Sequence, residues 1–300
     1  MIKNRLKLVK YTQNGGITLM YGKQIAGFFK SDYWGEVEKH LNNPDTHHVH
    51  IYVDTSIDPQ DLERAVLAYL DAKGWESRRK IDHMAPRLGT GALHGIHPNG
   101  KPHFDIMYNY NENAILEPMD PMKGEMGRNL LAWGTEYMNN YLKNYKFRPV
   151  DDNVKTALED YFNSEHWNKG LEKVLPKENV HVHINTETSI EPEIIKQYAL
   201  KSLEKNGWEI DEAVQCVFCA KGAYYQGKIV FLSMKPERVF DISWKYNPKV
   251  YIAPTEDWIV WKDQQGYDVW TIQMLEDSVL KGRTWKKLKD EDIDYIRKNV

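Results

Sequence analysis

The chain of 300 residues has only two cysteines, no long apolar run and no surplus of positive charge. Cys216 and Cys219 form a lone CxxC, and without a second ligand pair it does not make a zinc knuckle. They sit in an alternating apolar stretch, AVQCVFCA, which predicts buried, inert thiols. So few cysteines also fit a reducing compartment. Without an apolar segment long enough to cross a bilayer, and with MIKNRLKLVKY lacking a signal peptide's apolar core, the expected location is cytoplasmic with no membrane partner. A formal net charge of −3 excludes the basic footprint of a general nucleic-acid binder. The balance is uneven, with 19 basic against 17 acidic residues in 1–150 and 21 against 26 in 151–300. GTGALHG (89–95) lacks the Lys-Ser/Thr of a phosphate-binding loop and reads as a flexible connection.

What the chain does have is an internal repeat. Phe28 to Glu76 aligns without a gap on Tyr161 to Glu209 at a constant offset of 133. HVHIYVDTSIDP answers HVHINTETSIEP, and FDIMYNYN (104–111) returns as FDISWKYN (240–247). Ten Trp and eighteen Tyr mark a globular chain, and its length suits two domains, 1–150 and 151–300. Each copy opens with two short amphipathic helices, followed by the HVHI strand. TSIDP or TSIEP then starts a helix that Gly74 or Gly207 stops. Antiparallel strands ending in FDI come next, and a closing helix is expected at Leu130 to Asn144 and at Asp290 to Asn299. The fold class read from this pattern is α+β: a tandem duplication of a ferredoxin-like split α-β unit, packed as a pseudo-two-fold pair.

Residues that only one copy carries point to function. Eight of the eleven histidines (His40, His47, His48, His50, His83, His94, His97, His103) belong to the first copy, which therefore reads as the functional half. The second keeps His166, His181 and His183 and reads as the supporting half. On the HVHI strands Val49, Ile51 and Val53 share one face, and His48, His50 and Tyr52 share the other. The apolar face must pack on helices, so the histidines are expected to look outward or into a groove. Two imidazoles on one strand face, one residue apart, can chelate a divalent metal. Arg78, Arg79 and Arg87 are the candidates for holding a phosphate.

PDTHHVHIYVDTSIDPQDLERAVLAYL (44–70) resembles the HUH endonucleases and single-tyrosine transposases, in which a His-hydrophobe-His strand leads into a helix. That resemblance implies Mg²⁺ or Mn²⁺ held by His48 and His50, or by His181 and His183 in the second copy, with a third ligand beside the first pair from His94, His97, His103 or Asp105. It also implies a helix tyrosine as nucleophile, Tyr141 in the first copy or Tyr295 in the second, and a single-stranded nucleic acid as substrate. The duplication with HVHI in each half is also similar to the 2H phosphoesterases, although His50 and His183 stand where that family has Ser or Thr. PHFD (102–105) looks like the HxD of iron/2-oxoglutarate oxygenases. The functional expectation is a metal-assisted phosphodiester or nucleotide hydrolase or nuclease, with His48, His50, Tyr141 and His103 in catalytic roles. The alternative is a non-enzymatic duplicated binding protein that captures a nucleotide or a partner protein in the groove between repeats.

Overall fold

In each repeat a serine fixes the angle at which the first two helices meet. The computed structural model describes residues 20–75, 82–85, 90–96, 103–122, 128–217, 225–255 and 266–300. Helix α1 (Met20–Phe28) gives way to α2 (Asp32–Leu41), where Ser31 Oγ accepts the Trp34 amide at 3.2 Å and donates to the Phe28 carbonyl at 2.6 Å. Ser164 makes the same two bonds, to Trp167 and Tyr161, in the corresponding pair α5 (Asp152–Phe162) and α6 (Glu165–Val174). Such a cap contributes about 1 kcal/mol and aims the chain. Here it drives Trp34 and Trp167 into the two cores.

Strand β1 (Thr46–Thr55) and helix α3 (Pro59–Ala72) follow α2, while β7 (Asn179–Thr188) and α7 (Pro192–Lys205) follow α6. A proline at the first turn starts each of these helices, where its missing N–H costs nothing. Gly74 and Gly207 end them at φ +69° and +78°, a backbone region that disfavours side chains.

The first sheet has the order β2 (Asp82–Ala85), β3 (Thr90–Ile96), β4 (His103–Tyr110), β1, β5 (Leu116–Pro118), with β6 (Leu130–Gly134) also paired to β1. The second runs β8 (Glu209–Val217), β9 (Gly227–Lys235), β10 (Glu237–Tyr246), β7, β11 (Ile252–Pro254), with β12 (Tyr267–Thr271) paired to β7. The order is the same in both. In each, the central pair is parallel (β1 with β4, β7 with β10) and the remaining pairings are antiparallel. The molecule is thus mixed α+β with two mixed sheets. One expectation fails at the end of the first unit: residues 130–134 are a strand, and helix α4 begins only at Thr135 and ends at Leu142. LLAWG alternates its burial against β1, and that pairing overrides its helical propensity.

Val49, Ile51 and Val53 pack with α1–α3, as alternation requires. The opposite face, however, is not open. Tyr52, Leu131 and Trp133 of the first sheet join the core of the second repeat, and His48, His181 and His183 are buried. The outward orientation expected for these histidines is therefore corrected: the polar face of each HVHI strand is covered within the protein. The covering element for β1 includes β8, whose Cys216 lies close enough to Asp105 and to Asp241 to feel both charges.

The two halves also exchange their trailing segments. The Arg148 amide donates to the Ser189 carbonyl at 2.8 Å, and its guanidinium reaches Ser189 Oγ and the Pro248 carbonyl. At the equivalent place in the other half, the Lys286 amide donates to Ser56 O at 2.8 Å, and Nζ reaches Ser56 Oγ and the Glu112 carbonyl. Beyond it, and past the short helix α8 (Ile272–Leu275) that follows β12, α9 (Asp290–Lys298) packs on α1 and α3, so Leu288, Ile293 and Ile296 belong to the core of the first repeat. No helix of the described residues is long and apolar enough to cross a membrane.

Candidate metal centre

Strand register builds the site. In the parallel pair β1–β4, His48 stands opposite His103 and His50 opposite Asp105. His48, His50 and Asp105 therefore project from the same face of neighbouring strands. His48 Nε2 lies 3.0 Å and His50 Nε2 3.1 Å from the same carboxylate oxygen, Asp105 Oδ2. These separations match the edge of an octahedron of ligands about 2.1 Å from a central ion, roughly 3.0 Å. They equally suit N–H donation from each imidazole to the carboxylate. His50 Nδ1 is 3.1 Å from the Tyr52 hydroxyl. When Nδ1–H donates to that oxygen, Nε2 keeps its lone pair for a metal. The Trp133 ring stands edge-on to His50, with centroids 4.5 Å apart, and is tilted against His48 at 5.3 Å. Two imidazoles and one carboxylate so close together are a donor set that would hold a divalent ion and leave it further positions for water or substrate. His50 is the exposed end, its side chain 15 % accessible against 2 % for His48 and 9 % for Asp105.

A second His-His-Asp set occupies the matching place in the other sheet. Asp241 is opposite His183 in register. Its Oδ2 is 2.8 Å from His181 Nε2 and 2.7 Å from His183 Nδ1, and its Oδ1 accepts from Ser243 Oγ at 2.7 Å. Lys228 Nζ lies 3.5 Å from Oδ2 and 3.4 Å from His183 Nδ1. His183 thus presents its other ring nitrogen from the one His50 uses. The residue that orients His50, Tyr52, is replaced by Asn185, whose amide points to Asp268 at 3.4 Å. Burial pushes His181 down to about 4, with the His183 charge adding to the effect and the Asp241 bond opposing it. His183 is lowered too, chiefly by burial. Burial works to raise the Asp241 carboxyl. The positive charge on His183 and Lys228, with the hydrogen bonds from both imidazoles, nevertheless holds it well below the usual range. Cys216 is buried as expected, and burial pushes its thiol up to about 12. Cys219 lies outside the described residues.

Of the expected site residues, the structure brings His48, His50 and Asp105 together. His103 and His94 stand opposite His48 and Asp105 in the strand registers. His97, Arg78, Arg79 and Arg87 lie outside the described residues. Tyr141 is not brought to the triad: its hydroxyl accepts from Tyr145 at 3.1 Å, and its ring packs against the second core. Tyr295 sits on α9, against the first repeat. The tyrosine beside the triad is Tyr52. Sequence reasoning offered His181 and His183 as a second pair but missed Asp241 as the carboxylate they share and Lys228 beside it. The repeat of FDI alongside HVH was the available signal for Asp241.

A cleft of about 330 Å³ opens between the repeats, and the triad side chains do not line it. It is bordered by His47, Thr135 and Asn139 on one side and Glu191, Glu193 and Gln215 on the other.

No family model and no curated protein matches this chain. Two solved structures, both mutants of glyoxalase I from Zea mays, are 12 % and 13 % identical to it. The alignments cover 72 % and 70 % of this chain and 50 % and 49 % of those chains, each with a TM-score of 0.15. The chain spans about half the length of the solved chains it matches, and at that score the likeness carries no argument.

Proposed function

We propose that the chain is a duplicated α+β protein whose first repeat is a divalent-metal centre. His48, His50 and Asp105 are the ligands, and the reaction is metal-assisted hydrolysis of a phosphodiester or nucleotide. The observation that carries this reading is the convergence of two Nε2 atoms on one carboxylate oxygen at 3.0 and 3.1 Å. A Tyr52 hydroxyl is in place to fix the His50 tautomer. When bound, Mg²⁺ or Mn²⁺ would supply Lewis acidity and a water of lowered pKa. Asp105 supplies the negative charge that draws the cation, and Trp133 shields one side of both imidazoles from solvent. The partial cover over the site favours a small phosphate ester entering from the His50 side over a long nucleic-acid strand. A hydrolytic water suits this geometry better than a tyrosine nucleophile, since Tyr141 packs elsewhere.

Calorimetric titration with Mn²⁺ tests the centre. Saturable binding in wild type, lost in His50→Ala and in Asp105→Asn with the melting temperature retained, is the expected result. Absence of binding in wild type sinks the reading. The binding-protein alternative draws on the cleft between the repeats. Glu191 and Glu193 on its rim, the latter paired with Lys196 at 2.6 Å, suit a cationic partner segment better than a nucleotide phosphate.

A further inference from the structure

The two triads differ at three surrounding positions, and the differences act together. Tyr52, which sets the His50 tautomer, corresponds to Asn185 at the offset of 133. Ser243, which donates to Asp241 Oδ1, corresponds to Met107 by the FDI repeat, in which Asp241 answers Asp105. Lys228 stands opposite Ser243 across β9–β10, and opposite Met107 across β3–β4 stands Ala92. The second set thus has a lysine at the register position where the first has alanine. That lysine's ammonium reaches the carboxylate oxygen on which both histidines converge.

We propose that Lys228 is the built-in cation of the second triad: its ammonium takes the place a divalent ion would occupy beside His181, His183 and Asp241. The second triad is therefore a metal-free copy, closed by hydrogen bonds, that becomes a metal site when Lys228 is removed. Three physical facts support this. A fully buried carboxylate needs a positive partner, and Lys228 at 3.5 Å is one that leaves the site without an external ion. Both carboxylate oxygens are already committed, Oδ2 to two imidazoles and Oδ1 to a serine hydroxyl. A metal entering there would sit within contact distance of an ammonium, and like charges so close repel strongly in a partly buried setting. The count of one ion per chain, at His48, His50 and Asp105, rests on the metal-centre reading above; the closure of the second triad does not.

Ion counting on the full chain tests the proposal. The probe is Mn²⁺, measured by calorimetry and by the loss of the free-ion electron paramagnetic resonance signal, with thermal melts alongside. The expected counts are one ion for wild type, two for Lys228→Met, and one again for Lys228→Met combined with Asp241→Asn. The reciprocal Ala92→Lys, which changes no ligand, should reduce the wild-type count to none. If Lys228→Met does not fold, Lys228→Gln replaces it with the same expected counts. One ion both in wild type and in a folded Lys228 variant, or two in wild type, overturns the proposal. No ion in wild type but one in the Lys228 variant defeats the metal-centre reading and leaves this one standing. No ion in either overturns both.

Discussion

His181 is a buried imidazole held near pKa 4, chiefly by burial, and that has a consequence for acid stability. In the unfolded chain a histidine titrates near 6.5, so below that pH the unfolded state takes up a proton that the native state refuses. Stability is thus full above about pH 6.5 and falls steadily toward pH 4. His181 alone contributes a loss of up to about 3 kcal/mol, since each tenfold difference in proton affinity between the two states is worth about 1.4 kcal/mol. Asp241, whose folded pKa is depressed, acts in the same direction at lower pH, because its charged form is lost as pH falls through the carboxylate range. Melting temperature followed from pH 7 to pH 4.5 should drop continuously, and a flat profile contradicts a neutral, buried His181. Cys216 offers a second check at this scale. With its thiol near pKa 12 and enclosed between the sheets, it should resist iodoacetamide at pH 8 in the native protein and react on unfolding. Peptide mapping that finds native Cys216 alkylated contradicts this burial.

At the scale of elements, the contact between α1 and α9 depends on a missing side chain. A Cβ on Gly22 would stand 2.7 Å from the Asp292 carbonyl oxygen and 2.8 Å from its Cα, backbone atoms that cannot turn aside. The Gly22 amide donates to Asp292 Oδ1 at 2.7 Å across the same contact. Gly27, on the same helix, has open space around it. Gly22→Ala should cost about 1–3 kcal/mol by overpacking, while Gly27→Ala should gain up to about 1 kcal/mol of helix propensity. Urea denaturation of the pair measures the difference, and equal midpoints would mean that α9 does not seat there. Much of this level is legible in the sequence. The serine caps, the proline starts and the glycine stops recur at one offset, because each is settled among a few neighbouring residues. Alternation also sorts Val49 and Ile51 from His48 and His50 correctly. Strand β6 reads as helix in the sequence because LLAWG carries its instruction only in pairing with β1.

At the scale of the whole molecule, what stays hidden in the sequence is what depends on distant partners. Asp105 is one of several candidate ligands until the parallel register places it opposite His50. Lys228 gains meaning only from the β9–β10 register, and the histidine face gains its cover from Trp133 of β6 and from the second repeat. The exchanged trailing segments are the largest such feature, and they can be tested. Ile296 is fully buried in the core of the first repeat, although 240 or more residues separate it from β1 in the chain. Truncating it leaves a cavity that costs about 2–5 kcal/mol, a large part of the roughly 5–15 kcal/mol that holds a typical domain folded. Ile296→Ala should therefore speed amide exchange in β1 and α3, at the opposite end of the sequence, more than in β7 and α7. Mass-spectrometric exchange resolves these segments. Exchange that rises in the second repeat first would mean that the C-terminal helix supports its own half instead. Because β1 carries His48 and His50, the same substitution should also weaken Mn²⁺ binding, coupling the far end of the chain to the metal centre.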